Sequence, residues 1–533
     1  MSLKQVVKTV VRRRAWLATA VLPLAPILAI LVSDGSPAAF LGLLAGSVTL
    51  LAALTVFSLR SAVVRTRSLV AAPTRNSAAE HSGAVTAAGP IPERKLRAFS
   101  RWEARLNHGW SKTAASVLLQ TANTKKEHPE YRVKVLEALN DHYARRRNER
   151  RQAETLDLDI VIVSTMNLLG GTTSANEAEI LAYRAGGLKV GLVHHPVLDR
   201  ALDRPIHPRI RALIDDEQII ELHPASTARC DLLIVRFPTA MADIMDDLPK
   251  IEAKRTVLLV NQTPYEEYGL AGGYGTPWSV RDVHRNLTEW IGPHTWYAIG
   301  PAVRDVLREH HSADLSGVEQ AAEFWYETID IAAWTPETRR IRAEGDPIRI
   351  GRHSRDSITK FPNMAKRLRT AYPDAEDIEI HVLGGEKSIR QLLGSIPPKW
   401  VSHPFGTMSP VEFLGTIDVY AYFIDENLIE AFGRSPLEAM AAGVPCILPW
   451  SFAELFGDGA VYCTPDEVED HARRLAADAD YYAERVEAGL RIVRERFSPE
   501  ALLRRVGELG VVVDSARLGP AETATAMIME DAR

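Results

Sequence analysis

The sequence predicts an α/β protein in which two doubly wound domains, each a parallel sheet covered by helices on both faces, follow an N-terminal membrane segment. Two observations carry the α/β prediction. Short β-rich runs alternate with helical stretches from residue 158 onward, and the alternation restarts near residue 348 after a Pro- and charge-containing stretch. A third observation, two apolar runs near the N-terminus, predicts the membrane segment.

At 533 residues, with 46% hydrophobic and 25% charged residues, the chain has the composition of several globular units rather than of a disordered polymer. Charge divides it. Lys and Arg outnumber Asp and Glu by 24 to 9 through Arg151, whereas beyond it the count is 39 to 59, an excess of 20 negative charges. The three cysteines, Cys230, Cys446 and Cys463, are scattered in or beside apolar runs and show no CxxC spacing, as expected of buried thiols without a disulfide framework or a zinc site.

The N-terminal element, residues 1–62, contains the apolar runs 15–33 and 38–59. Each is near the roughly 20 residues a helix needs to cross a bilayer. Only Asp34-Gly35-Ser36-Pro37 separates them, which predicts a helical hairpin with both ends on one side. Lys4, Lys8, Arg12, Arg13 and Arg14 precede the first run, and Arg60, Arg65 and Arg67 follow the second, so the positive flanks place both ends, and the domains beyond, in the cytoplasm. Arg13-Arg14-Ala15-Trp16-Leu17 loosely matches a twin-arginine export signal, but the second apolar run opposes release.

Residues 63–92 form the next element, a flexible linker rich in Ala, Ser, Thr, Gly and Pro without apolar periodicity. Residues 93–153 are helix-friendly and basic, with Trp102 and Trp110 among the charges and the clusters Arg145-Arg146-Arg147 and Arg150-Arg151. Three readings fit that segment: a surface against anionic lipid headgroups, a helical pair packed on the following domain, or a phosphate-binding surface for nucleic acid. The adjacent membrane segment favours lipid over nucleic acid.

The first doubly wound domain spans 154–340, with strands expected at 158–164, 189–194, 218–222, 232–235, 256–261 and 296–299. The second spans 341–515, with strands at 348–351, 378–383, 400–403, 419–423, 445–449 and 460–463. Residues 334–347 join them, and residues 516–533 are expected to be a flexible tail. Ligands of such sheets bind beyond the strand C-termini, in the cleft between the domains.

Several motifs fall at those strand ends. Gly170 and Gly171 follow the first strand and precede Ser174-Ala175-Asn176-Glu177, a capping-box pattern, so bare backbone N–H groups would face a phosphate or sugar there. A tight turn alone would also explain the glycines. In the second domain, Gly351-Arg352-His353-Ser354-Arg355-Asp356-Ser357 ends the first strand and Lys360 follows. Arg352, Arg355 and Lys360 are candidates for neutralising a diphosphate.

The sharpest signal is Glu430-Ala431-Phe432-Gly433-Arg434-Ser435-Pro436-Leu437-Glu438, running into Ala439 to Pro445. Ser435 as N-cap, Pro436 in the first turn, Glu438 closing a capping box and Gly443 ending the helix account for part of it. The helix N-terminus offers unpaired N–H groups to a phosphate.

This stretch resembles the C-terminal motif of the retaining glycosyltransferases of family four, a Glu, seven residues and a second Glu, with Phe-Gly after the first. The resemblance includes Asp418-Val419-Tyr420 before the motif and Glu454 to Ala460 after it, and it covers about 156–513. It implies the GT-B fold, two Rossmann-like domains facing a cleft, and transfer of a sugar from a nucleotide-sugar co-substrate with retention, without a required cofactor or catalytic metal. It implies that Glu430 lies at the donor sugar, that Glu438 hydrogen-bonds the ribose hydroxyls, and that the segment Gly433-Arg434-Ser435-Pro436-Leu437 holds the diphosphate through the backbone N–H groups it offers, together with Arg352, Arg355 and Lys360. Gly170 and Gly171 match the family's N-terminal glycine loop.

One departure concerns the acceptor side. Many members carry a His near an interior strand end, where this chain has Asn261-Gln262-Thr263-Pro264, while His194 and His195 end another strand. These three, His194, His195 and Asn261, are the acceptor-side candidates. Asp157-Leu158-Asp159 has the Asp-x-Asp pattern of metal-dependent transferases but starts a strand, which makes it a solvated strand entry. The expected partners are a nucleotide-sugar donor, a lipid-linked or cell-envelope glycan acceptor and the membrane, with no nucleic acid. The competing functions are an epimerase or phosphorylase of the same fold, or a non-catalytic nucleotide-sugar-binding scaffold.

Overall fold

The computed structural model describes residues 89–514, apart from residue 152, residue 169, 199–201, residue 266, 270–271 and 275–277. The hairpin of 1–62, most of the linker and the C-terminal tail lie outside the described residues, and among the described residues no helix is long and apolar enough to cross a membrane.

Three helices come first: α1 (Glu93–Asn107), α2 (Ser111–Asn123) and α3 (Pro129–Arg151). They enclose a small core of their own in which Phe99, Leu106, Leu118, Tyr131, Val135 and Leu139 are buried. The segment is therefore three helices rather than a pair, and it packs on the domain that follows. Trp110, Leu202 and Met245 form a shared apolar cluster, and Arg146 of α3 pairs with Asp247. Arg145, Arg147, Arg150 and Arg151 are exposed.

The first sheet contains β1 (Thr155–Ser164), β2 (Val190–His194), β3 (Ile219–Glu221), β4 (Thr227–Arg236), β5 (Lys250–Val260), β8 (Thr295–Ala298) and β9 (Glu319–Gln320), in the order β3-β2-β1-β4-β5-β8-β9. Every pairing is parallel. The hairpin β6 (Glu267–Gly269) and β7 (Gly272–Tyr274) stands apart from it. The second sheet contains β10 (Ile348–His353), β11 (Ile378–Leu383), β12 (Trp400–His403), β13 (Val419–Ala421), β14 (Cys446–Leu448) and β15 (Val461–Tyr462), in the order β12-β11-β10-β13-β14-β15, again parallel.

Both sheets thus have the doubly wound form, and each has a point where the strand order reverses: between β1 and β4 in the first, between β10 and β13 in the second. A crevice opens beyond the strand C-termini at such points, because the connections on either side leave in opposite directions. The central strand β1 is apolar along its buried half because helices cover both faces, as at Ile160 to Val163.

The chain does not keep its two sheets separate to the end. The last helix, Pro499–Glu508, follows the second sheet in sequence, yet Leu502, Leu503 and Val506 are buried with Ile160 of the first sheet and with Ile180 and Tyr183 of the helix Gly171–Ala185. Its apolar stripe is evident in the sequence, but the stripe does not say which sheet it covers. Cys230, Cys446 and Cys463 are buried free thiols.

Candidate donor-binding and active site

At the switch point of the second sheet, β10 ends in His353 and the chain leaving β13 runs through Tyr422 to Glu430. The motif helix follows as Arg434–Ala441. Its start differs from the sequence expectation. Gly433 is the N-cap, in a left-handed conformation with φ 87°, and Ser435 lies inside the first turn without capping it. A side chain at 433 would be strained by that φ and would also meet Phe452 2.5 Å from its Cβ, so glycine is required twice over. The Gly443 terminator holds: its φ is 68° and its N–H donates to Met440 O at 2.9 Å.

The run of N–H groups expected to face a diphosphate is shorter than the five residues of the sequence expectation. Pro436 has no N–H, and the N–H of Leu437 donates back to Gly433 O at 3.4 Å. The N–H groups of Gly433, Arg434 and Ser435 are left at the helix start.

Glu438 closes no capping box. Its Oε1 accepts from Arg434 Nε at 3.1 Å, and its Oε2 faces His353 Nε2 at 2.7 Å. Arg434 also donates to Glu327 Oε2 at 3.1 Å and to Thr328 O at 3.3 Å. Burial acts to lower the Arg434 pKa, but the carboxylates of Glu327 and Glu438 outweigh it and raise the pKa.

Glu430 is held from two sides. Lys360 Nζ donates to its Oε2, and the Tyr422 hydroxyl donates to the same oxygen at 3.0 Å. Burial, followed by the Glu430 charge, pushes the Tyr422 hydroxyl well above its ordinary pKa, so it stays a donor. Beside Glu430 lies a cavity of about 440 Å³, walled by Phe423, Phe432 and Phe452 of the second domain and by Pro301 and Ala302 of the first.

Of the three cations expected at the end of β10, only Lys360 reaches this cluster. Arg352 is fully buried, stacked 4.0 Å from the Phe361 ring centroid. It donates to Phe423 O at 3.1 Å, to the Tyr372 hydroxyl at 2.9 Å and to the Lys360 carbonyl. It fixes the backbone that carries Lys360 rather than presenting its charge to a ligand. Arg355 is exposed on the loop leaving β10. A second glycine pair that sequence reasoning passed over, Gly384-Gly385 after β11, lies against this loop. A side chain at 384 would overlap Ser354 O, whose distance from the position of its Cβ is 1.9 Å.

On the first sheet, Gly170 is the N-cap of a helix that begins at Gly171, three residues before the capping-box serine, and its φ is 99°. Both glycines border open space. Asn176 instead donates to Ser164 Oγ at 3.0 Å. Arg209, on the short helix Pro208–Arg211, pairs with Glu177. Burial and then the positive charge of Arg434 lower its pKa, while Glu438 opposes them, so Arg209 lies within electrostatic reach of the motif helix. Neither Arg209, His353, Tyr422 nor Glu327 stands out in sequence, because none belongs to a spaced motif.

The acceptor-side candidates separate. His195 is fully buried, and both ring nitrogens are used: Nδ1 donates to Pro196 O at 3.1 Å and Nε2 accepts from Met245 N at 3.1 Å. His194 Nδ1 accepts from Met166 N at 3.1 Å, which leaves the proton on Nε2, and that atom is buried without a partner among the described residues. Asn261 Oδ1 is likewise buried and unpartnered among the described residues. His194 and Asn261 end strands three steps apart in the sheet, about 14 Å, so one small acceptor group cannot touch both. Asp157 and Asp159 sit at the opposite, N-terminal edge, where Asp159 accepts from Lys189 N at 2.7 Å.

No known family model matches the chain, and no curated protein matches its sequence. Among solved structures it is similar to a glycosyltransferase from Rickettsia africae, with 13% identity over 67% of this chain and 97% of that one and a TM-score of 0.45. It is also similar to an α-glucosyltransferase in complex with UDP and a 13-mer DNA, with 11% identity over 66% of this chain and 99% of that one and a TM-score of 0.44. A third is a point mutant of S. aureus TarM in complex with fondaparinux, α-GlcNAc-glycerol and UDP, with 14% identity over 58% of this chain and a TM-score of 0.37, where the match spans 60% of that chain.

Proposed function

We propose that this chain is a glycosyltransferase that moves a sugar from a nucleotide-sugar donor to an acceptor hydroxyl. One observation carries the reading. At the switch point of the second parallel sheet, two carboxylates flank a helix N-terminus whose first N–H groups have no partner among the described residues, and each is already oriented by a cationic side chain: Glu430 by Lys360, Glu438 by Arg434. A carboxylate for a diol, N–H groups and a lysine for a diphosphate, and a second carboxylate for a hydroxylated ring are the groups a nucleotide-sugar needs.

In this reading the bond from the sugar anomeric carbon to the diphosphate oxygen breaks as a bond to the acceptor oxygen forms. Lys360 and the N–H groups of Gly433, Arg434 and Ser435 stabilise the departing diphosphate. Lys360 exchanges its bond to Glu430 for the diphosphate, which leaves Glu430 to accept from a sugar hydroxyl. The acceptor proton passes to the diphosphate, so no enzyme base is required. Retention of configuration and independence from a metal rest on the resemblance of the motif to family four.

Incubation of the full chain with candidate UDP-, GDP- and ADP-sugars and a glycan or lipid extract should release nucleoside diphosphate only when acceptor is present. Conversion of the donor sugar without release would instead indicate an epimerase, and binding without either would indicate a scaffold. The apolar runs and their positive flanks support a membrane-anchored enzyme with cytoplasmic domains acting on a lipid-linked or cell-envelope acceptor. A cysteine placed at Ser36 should react with an impermeant external thiol reagent, and one at Ser77 should not. The reverse labelling would refute that topology.

A further inference from the structure

Both groups that hold Glu438 belong to its own domain, but one of them, Arg434, is itself held from outside it. The two oxygens of Glu438 are each engaged once, Oε1 by Arg434 and Oε2 by His353, at 3.1 and 2.7 Å. A carboxylate has about four lone-pair sites, so each oxygen keeps acceptor capacity. A vicinal diol can use it by donating one hydroxyl to each oxygen. Arg434 orients the carboxylate, and what fixes Arg434 lies elsewhere.

The other end of the guanidinium is bound by Glu327 Oε2 and Thr328 O. Both residues belong to the stretch that leaves the first sheet after β9. The stretch is tied to the first sheet by Trp325 N donating to Ala298 O at 2.9 Å. It is tied to the tail of the second domain by Ile329 N donating to Phe497 O at 2.8 Å. The side chains of Glu327 and Arg434 are 12% and 15% exposed, so the pair is shielded from solvent competition. Trp325 Nε1 also donates to Glu179, which in turn pairs with the buried Arg236 at the end of β4.

We propose that Arg434 is a positioning residue for Glu438, anchored by Glu327, so that recognition of the donor ribose depends on a carboxylate supplied by the crossing segment rather than by the nucleotide-binding sheet. The inference rests on the reading of Glu438 as the ribose ligand. It makes ribose recognition sensitive to how the crossing segment sits on the first sheet. Arg209, on the first domain, lies within electrostatic reach of Arg434 and Glu438, its charge opposed by the first and favoured by the second.

The test uses the full chain and measures binding of UDP, GDP and ADP, then of the 2′-deoxy counterpart of the tightest binder. The ratio of the two affinities isolates the diol contact, because general damage to the site weakens both nucleotides equally. Arg434→Gln and Glu327→Gln are each expected to reduce the preference for the ribonucleotide about tenfold, as Glu438→Gln does, while Arg434→Lys retains part of it. A preference unchanged in Arg434→Gln and Glu327→Gln but lost in Glu438→Gln would overturn the inference and leave the ribose assignment standing. A preference unchanged in Glu438→Gln, or no binding of any of the three nucleotides by the unmodified chain, would remove the assignment and the inference with it.

Discussion

Tyr422 donates its hydroxyl to Glu430 at 3.0 Å on the same oxygen that Lys360 holds, so the carboxylate at the motif's start has one partner that is free to leave and one that is not. Lys360 sits on a short turn whose backbone is braced by Arg352, and its ammonium can swing to a diphosphate. Tyr422 is buried and stacked beside Tyr420, with ring centroids 6.3 Å apart, and remains in place.

The consequence is a split in kinetic effects. Tyr422→Phe removes one hydrogen bond to a charged group, worth about 1.5–3 kcal/mol, from Glu430, the proposed donor-sugar contact. Turnover should fall about tenfold or more, with nucleoside diphosphate affinity changed less than about twofold. Lys360→Ala should weaken the diphosphate itself. Equal loss of nucleotide affinity in both variants, measured by calorimetry, would contradict this division of labour.

Much of this site is legible in the sequence, and the rest is hidden for a definable reason. The strand ends and the turn into the helix Arg434–Ala441 follow from local sequence, because a strand, a turn and a helix are contiguous, while Glu430 and Glu438 are singled out by the resemblance of the motif to family four. Arg352 is misread because a basic residue at a strand end looks the same whether it faces a ligand or stacks on Phe361 and Tyr372. Glu327 is 111 residues from Glu438 in the chain, and nothing local marks it as a partner of the motif. The same holds for the last helix, whose amphipathic face is evident but whose docking on the first sheet is a long-range choice.

The packing of His195 against Trp110 gives the protein a sensitivity to acid. The rings meet edge to face, with centroids 5.8 Å apart, where the helical segment covers the first sheet. Burial is the main cause of a His195 pKa lowered from 6.5 to about 4. His194 next to it is also lowered to about 4, chiefly by burial. A base whose pKa is depressed by folding contributes stability that is present above 6.5 and is lost as pH falls from 6.5 towards 4. For His195 alone the loss is up to roughly 3 kcal/mol. Protonation removes the acceptor for Met245 N–H and places a cation in an apolar site. Thermal unfolding midpoints should therefore fall over this window, accompanied by a change in Trp110 fluorescence that is absent in Trp110→Phe. A flat profile between pH 6.5 and 4 would contradict the burial argument.

The attachment of the three-helix segment can be tested at α2, whose N-terminus has no side-chain cap of its own. Its cap comes from the first domain: Asp246 accepts from Lys112 N at 3.0 Å and from Thr113 N at 2.9 Å, one oxygen for each. The carboxylate satisfies two of the helix's orphan N–H groups and complements its dipole. The neighbouring residue Asp247 receives Arg146 from α3, and the two side chains are 13% and 19% exposed. Burial raises the Asp247 pKa and Arg146 opposes the rise. Two adjacent acidic residues therefore clamp two different helices onto one loop. Asp246→Ala should cost about 1 kcal/mol, the usual value of a lost cap. Asp247→Ala should cost more, because Arg146 is left partly buried with only Glu149 for an acidic partner among the described residues. Exchanging the pair as Arg146→Asp with Asp247→Arg should restore part of the loss. If the helices were merely tethered by the chain, hydrogen exchange in α2 and α3 would be unaffected by Asp246→Ala; faster exchange in α2 first, before any change in β1 or β4, is the outcome that the trans cap requires.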